Sequence, residues 1–165
     1  MEEFEKRELE PELMNGAAQV DAYAAANFSG SDNELIEFIS AQFPNGLGEQ
    51  IIDLGCGPGN ITKYILSKRP DFDIFGIDIA PNMIELAKQN NPTADFAVMD
   101  SRDIHTLDTN YDGIIGGFCI PYLSLTECNE LIANTYNLLN ENGLIYLSFV
   151  EGDPEKSDFK VGSGG

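Results

Sequence analysis

From residue 51 onward, short apolar runs of strand length alternate with amphipathic segments of helical length. This alternation predicts parallel strands, because a parallel pair must be joined by a long crossover that is usually a helix. The predicted strands are 51–54, 74–77, 96–99, 113–118 and 144–150, and the predicted crossover helices are 60–67, 81–89 and 126–140. The chain should therefore form an α/β fold with a doubly wound, open and mainly parallel sheet of five strands.

Two of these helices carry recognisable start signals. Pro81 occupies the first turn of the second helix, where its missing N–H costs nothing. Ser124 and Glu127 have the spacing of a capping box before the third helix, and Gly143 follows as a predicted stop.

The N-terminal part of the chain has a different character. Residues 1–12 are mostly charged, as in a solvated end, and the Ala-rich stretch 13–28 predicts a helix. Ser31 and Glu34 form a second capping box before a helix whose apolar face carries Leu35, Phe38, Ile39 and Phe43. We therefore divide the chain into an acidic helical extension (1–30), an α/β domain (31–152) and a polar Gly-rich tail (153–165).

Composition narrows the classes of partner. The 165 residues include 9 Lys and Arg against 28 Asp and Glu, a net charge of −19, which repels nucleic acid and anionic lipid. The three cysteines lack C-x-x-C spacing, so we expect no disulfide framework, no metal site and a reducing cytoplasm. The sequence shows no signal peptide and no apolar run long enough to span a membrane. A small-molecule partner is the expectation.

The most informative motif is the turn after the first strand. Gly55, Gly57 and Gly59 alternate there before a helix, so that a ligand can approach backbone that Cβ atoms would otherwise cover. A dinucleotide-binding fold would instead show G-x-G-x-x-G, but Asn60 stands where the third glycine of that motif belongs. The spacing favours a nucleoside ligand over a pyrophosphate.

Residues 53–59 match the pattern D-x-G-x-G-x-G, and two further acids, Asp78 and Asp100, follow the next two predicted strands. Over about residues 48–150 the chain resembles the class I S-adenosylmethionine-dependent methyltransferases. The resemblance implies a small-molecule methyltransferase that uses S-adenosylmethionine. It also implies a sheet of seven strands.

The resemblance assigns roles to individual residues. The three loop glycines would line the methionine part of the cofactor, Asp53 would orient the loop, and Asp78 would accept bonds from the ribose diol. Ile79 would pack on adenine, Asp100 would accept from the adenine amino group, and Ser101 would offer a backbone amide. Further cofactor contacts are expected from Cys56, Met83 and Phe118. For Asp100 the alternative is a simple cap of the following helix.

Tyr122 and His105 are the candidate catalytic residues. Methyl transfer is an in-line displacement that needs chiefly positioning, so a base is required only if the acceptor must lose a proton. The alternative for Tyr122 is packing, and for His105 it is a surface loop. Cys119 is interpreted as a small core residue.

Two other functions stay open from the sequence. One is a fragment that binds S-adenosylmethionine without turnover, and the other is an NAD-dependent dehydrogenase. The glycine spacing and the absence of a Tyr-x-x-x-Lys motif oppose the dehydrogenase.

The residues after Val150 are polar and few, so we expect the C-terminal strand pair of the seven-stranded sheet to be missing. Residues 144–149 would then form an exposed, apolar edge strand, a known route to chain pairing. The sequence thus predicts a homodimer through the last strand.

Overall fold

The computed structural model describes residues 48–149, together with five residues that precede them. Those five, Asn33, Glu34, Glu37, Phe38 and Ala41, are all helical, as the capping box at Ser31 predicts. The predicted helix 13–28, the extension 1–30 and the tail 153–165 lie outside the described residues, so this division of the chain stays a prediction.

The described residues form one sheet of five parallel strands in the order β3-β2-β1-β4-β5. The strands are β1 (Gln50–Leu54), β2 (Asp73–Asp78), β3 (Asp95–Val98), β4 (Tyr111–Gly117) and β5 (Leu139–Ser148). The chain builds outward from β1 in one direction and then crosses to β4 on its other side. This reversal defines a doubly wound sheet and confirms the predicted fold class.

Three α-helices connect the strands: α1 (Asn60–Lys68), α2 (Pro81–Asn90) and α3 (Leu125–Leu138). Pro81 begins α2, and the reciprocal Ser124–Glu127 capping box begins α3, so both start signals are confirmed. Two short 3₁₀ helices, Ser101–Thr106 and Ile120–Tyr122, lie in segments that the periodicity left as loops.

The junction between α3 and β5 differs from the prediction. The helix was expected to run to residue 140, but it ends at Leu138 because Leu139 already pairs with Tyr111 of β4. The ladder then shifts register and resumes at Leu144. Gly143 is therefore a tight position in this bulge, where a Cβ would lie 2.9 Å from Cδ2 of Leu139, and it is not the helix stop that we predicted.

Apolar side chains cover both faces of the central strands. Ile52, Leu54 and Ile114 point to the face that α3 covers, while Ile51, Ile74 and Ile115 point to the face of α1. Successive strand residues alternate between faces, so a strand buried on both sides must be apolar throughout. This explains why the strands appear in the sequence as continuous apolar runs.

The outermost strand is less well covered. The apolar residues of β5 from Leu144 to Leu147 are only partly buried, and Phe149 just beyond it is 62% exposed. Among the described residues, no helix has the length and apolar character needed to cross a membrane.

Candidate functional site

Three aspartates lie at the carboxyl ends of adjacent strands. Asp53 is the penultimate residue of β1, Asp78 ends β2, and Asp100 follows β3. The register aligns Leu54 with Ile77 and Asp78 with Val98, so the three strands end at the same edge of the sheet. An open α/β sheet binds its ligands at this edge.

The turn after β1 has a backbone that only glycine adopts easily. The φ angles are +68° at Gly55, +52° at Gly57 and +77° at Gly59, all in the left-handed region. A Cβ on Gly59 would also lie 2.4 Å from Nδ2 of Asn91. The alternating glycines are therefore required by the path of the chain, and Gly55, at the entrance of the turn, is exposed to solvent.

Side chains from α2 hold the turn from behind. Nδ2 of Asn90 donates to the carbonyl of Pro58 at 2.9 Å, and Nδ2 of the buried Asn91 donates to the carbonyl of Gly59 at 3.0 Å. The amide of Cys56 continues the sheet by donating to the carbonyl of Ile77 at 2.9 Å. These bonds fix the path of the turn.

Asp53 is 1% exposed and accepts a hydrogen bond from the hydroxyl of Thr62 on α1 at 2.8 Å. The bond ties the end of β1 to the helix that follows the turn. A buried carboxylate must be paired in this way to avoid a large desolvation cost. The role of Asp53 as a residue that orients the loop stays a prediction.

Asp78 bridges the turn and the start of α2. Its Oδ2 accepts from the amide of Gly57 at 2.9 Å, and its Oδ1 accepts from the amide of Ala80 at 2.8 Å. A carboxylate offers about four acceptor positions, so each oxygen keeps capacity for one more donor. Burial raises the pKa of Asp78, and the two amide bonds oppose that shift. Asp78 is therefore a partly buried acceptor that touches the middle glycine of the turn.

Asp100 is paired within the protein. Its carboxylate accepts from the backbone amide of Arg102, which makes it a cap of the 3₁₀ helix, and also from the Arg102 guanidinium. Nη1 of Arg102 donates further to Oε1 of Glu127 at 3.0 Å. The structure thus shows the capping role that was the alternative for Asp100, and a donor to this carboxylate would have to share it with Arg102.

The same network lowers the pKa values of both acids. The hydrogen bonds from the Arg102 side chain are the main cause at Asp100. At Glu127 the pKa falls to about 2, chiefly through the backbone bond at Ser124. Both groups are therefore carboxylates at neutral pH, and together they hold the guanidinium between the end of β3 and the start of α3.

The remaining predicted cofactor residues divide by exposure. Ile79 is 45% exposed beside Asp78, as a residue that packs on a ligand should be, and Ser101 is partly exposed. Met83 is buried against Ala80 and Leu86, while Cys56 is buried in a cluster with Phe96. Burial raises the pKa of the Cys56 thiol far above its usual range, so it stays protonated. The structure therefore places Met83 and Cys56 in the core behind the turn.

The segment after β4 borders the turn. A Cβ on Gly55 would lie 3.6 Å from Cβ of Cys119, so the two segments are in contact. Phe118 has a φ of +55°, which costs a bulky residue about 1–3 kcal/mol. Cys119 is buried, and desolvation raises the pKa of its thiol to about 11, in agreement with a core role. Tyr122 follows in the second 3₁₀ helix, with about one third of its surface exposed.

His105 lies elsewhere. It is exposed at the end of the first 3₁₀ helix, and its Nδ1 is 3.1 Å from the carbonyl oxygen of Arg102. It lines a cavity of about 240 Å³ with Asn110, Asn134 and Asn137, next to the start of β4. The amino end of a parallel strand is opposite the glycine turn, so the structure does not bring His105 to the three aspartates. Within the described residues, no group of side chains has the makings of a metal site.

The sequence did not predict several residues that build the site. They are Thr62, Asn90, Asn91, Arg102 and Ser148, and each acts through one side chain on a partner in another element or turn. Asn91, for example, lies 32 positions from the glycine that it contacts. Contacts of this kind leave no periodic signal in a single sequence.

Residues 51–143 match the family model described as a methyltransferase domain. Among curated proteins, the chain is 34% identical over 114 residues to the malonyl-[acyl-carrier protein] O-methyltransferase of Acetivibrio thermocellus, covering 68% of this chain and 39% of that protein. It is 30% identical over 119 residues to the trans-aconitate 2-methyltransferase of Escherichia coli, covering 72% of this chain and 46% of that protein. The chain thus spans less than half the length of these relatives.

Solved structures share the fold. A TehB-like SAM-dependent methyltransferase from Corynebacterium glutamicum superimposes with a TM-score of 0.62 at 27% identity, covering 79% of this chain and 72% of that chain. The plantazolicin methyltransferase BpumL in complex with SAH gives a TM-score of 0.59 at 27% identity, covering 67% of this chain and 43% of that chain.

Proposed function

The chain belongs to the methyltransferase-domain family, and on this premise we propose that it is an S-adenosylmethionine-dependent methyltransferase with a small-molecule acceptor. The observation that carries the proposal is Asp78, a carboxylate at the end of β2 that is bonded to the middle glycine of the turn and keeps acceptor capacity. An acceptor pair beside an exposed apolar residue suits a ribose diol and its base.

The residues at this edge fit the cofactor. Gly55 leaves the entrance of the turn open to a ligand, Asp78 would hold the ribose, and Ile79 would pack on adenine. Asp53 would act indirectly, through Thr62 and the path of the turn. Asp100 would accept from the adenine amino group only by sharing its carboxylate with Arg102.

When bound, S-adenosylmethionine supplies an electrophilic methyl group on a sulfonium sulfur. The contribution of this chain is then chiefly positioning, because the turn is already fixed by Asn90 and Asn91. Tyr122 lies in the segment that borders the turn and is the better placed candidate for contact with an acceptor. His105 is the less well placed candidate, because it lines the cavity near the start of β4.

Calorimetric titration tests the function. We expect binding of S-adenosylmethionine and S-adenosylhomocysteine and none of NAD, since the glycine spacing does not suit a pyrophosphate. The next measurement is transfer of a labelled methyl group. The first acceptors to test are malonyl-acyl carrier protein and trans-aconitate, which the names of the relatives suggest. Binding of NAD alone would overturn the proposal. Binding without transfer to any acceptor would favour the second candidate, a domain that binds the cofactor without turnover.

We assign the protein to the cytoplasm. All three cysteines are free and buried in the described structure, and thiols persist most readily in a reducing compartment. The net charge of −19 supports a partner other than nucleic acid or an anionic membrane.

A homodimer through β5 is the proposed assembly. Among the described residues, β5 is the last strand in the sheet order and pairs with β4 alone, so one row of its backbone groups would be available to a second copy of the chain. Its apolar side chains are only partly buried, and Phe149 is largely exposed.

Multi-angle light scattering over a concentration series should show a dimer, and Phe149→Lys should shift the equilibrium toward monomer. Tyr136→Lys is the control, because Tyr136 is 80% exposed but lies on α3. A monomer at all concentrations would contradict the assembly.

A further inference from the structure

The left-handed residue after β4 is a phenylalanine. Gly116 and Gly117 precede it, yet the positive φ angles of the described glycines fall only in the turn after β1. The two glycines are needed for space: a Cβ would lie 2.7 Å from Cδ2 of Leu147 at Gly116 and 2.9 Å from Cδ1 of Ile61 at Gly117. The chain thus places an aromatic ring at a position where glycine would suit the backbone.

Ser148 holds Phe118 in this conformation. The amide of Phe118 donates to both the carbonyl oxygen of Ser148, at 3.2 Å, and its hydroxyl oxygen, at 3.1 Å. Ser148 is the last residue of the ladder between β4 and β5 and pairs with Gly117. A strained conformation that is doubly held points to a use for the ring.

Part of the surface of Phe118 is open to solvent. Phe118 is 38% exposed and does not belong to the hydrophobic clusters of the described core. Its neighbour Cys119 contacts the space over Gly55, so Phe118 lies where β1 and β4 diverge at their carboxyl ends. The strand order reverses at this point, and the crevice it creates is where ligands of such sheets bind.

We infer that Phe118 is a specificity residue whose ring face attracts the positively charged sulfonium of S-adenosylmethionine and so favours it over the neutral thioether of S-adenosylhomocysteine. The inference rests on the proposed function and deepens it. An aromatic face attracts a cation within about 6 Å of its centre. A product that lacks the charge would be held less tightly and released.

The test is the ratio of the two dissociation constants, measured by calorimetry on the whole chain. Phe118→Leu should lower the preference for S-adenosylmethionine by about 3- to 20-fold, while the affinity for S-adenosylhomocysteine changes little. Phe118→Tyr keeps a ring and should keep the ratio of the wild type. Ser148→Ala retains the backbone acceptor and should cause a smaller loss of preference.

Phe118→Gly provides a second measurement, because glycine adopts a φ of +55° without strain. It should match Phe118→Leu in its preference and should melt no lower than the wild type. If either ring-deleting variant kept the wild-type ratio, or weakened both ligands equally, the role of the ring would be disproved while the methyltransferase proposal stood. A wild type that binds neither ligand would overturn both.

Discussion

Replacement of Asp78 with alanine is expected to weaken binding of S-adenosylhomocysteine by about 100-fold or more. Hydrogen bonds to a charged group contribute about 1.5–3 kcal/mol each, and a ribose diol would lose two of them. The change also removes the acceptor of the Gly57 and Ala80 amides, so the turn itself loses support. Calorimetry gives the dissociation constants directly.

Asp95→Ala is the matched control for Asp78. Asp95 is an exposed aspartate at the amino end of β3, on the edge of the sheet opposite the turn. The Asp95→Ala variant should therefore bind the ligand as the wild type does. Equal losses in the two variants would indicate a general effect of charge. An Asp78→Ala variant that bound normally would remove the carboxylate from the site.

We also expect the affinity for the ligand at Asp78 to depend on pH. Burial raises the pKa of Asp78 above its ordinary value, which is about 3.9 for an aspartate. A protonated carboxyl loses acceptor capacity, so the affinity for S-adenosylhomocysteine should fall on acidification. The fall should begin at a higher pH than the ordinary pKa of an aspartate would give. Because the pKa of Asp78 is raised on folding, the free energy of unfolding should decrease as the pH rises from the ordinary pKa of an aspartate through that of Asp78. Hydrogen-bond donors of the ligand would offset this loss of stability.

The second large effect is expected on stability. Gly59→Ala should lower the free energy of unfolding by about 2–4 kcal/mol, which combines the cost of a left-handed alanine with a clash against Asn91. A Cβ would lie 2.4 Å from Nδ2 of Asn91, which is itself bonded to Gly59 and Ala87 and cannot easily retreat. Urea denaturation followed by circular dichroism measures the change.

Gly55→Ala separates the two causes. Gly55 has a similar φ of +68°, but a Cβ there meets only an ordinary contact at 3.6 Å. It should therefore show the conformational cost alone, about 1–2 kcal/mol. If the two alanine variants lost the same stability, the contact with Asn91 would not be a constraint on the turn.

Periodicity in the sequence was sufficient for the architecture. Each predicted strand overlaps an observed one, although β5 begins at Leu139 and not at residue 144. The central strands were recognisable because a strand buried on both faces must be continuously apolar. The capping box at Ser124 and the proline at Pro81 are local signals and were correct. The predicted end of α3 was wrong because Leu139 pairs with Tyr111, about 28 residues earlier in the chain. The helical pattern holds no information about that pairing.

The candidate site divides in the same way. The motif of Asp53 and the glycines, and the acid that ends β2, were recognisable because their chemistry is local to one turn or one strand end. Three contacts could not be predicted from the sequence. They are the pairing of Asp100 with Arg102 and Glu127, the support of the turn by Asn91, and the bond of Ser148 to Phe118. Each depends on which elements become neighbours.

The amino-acid sequence by itself therefore determined the α/β class, the order of the elements and the chemistry carried at each strand end, since these follow from local periodicity and residue type. Only the tertiary structure decided which of those groups share a site. It brought Cys119 and Asp78 to the glycine turn and left His105 near the opposite edge, because strand order and register, and not position in the chain, set the distances between side chains.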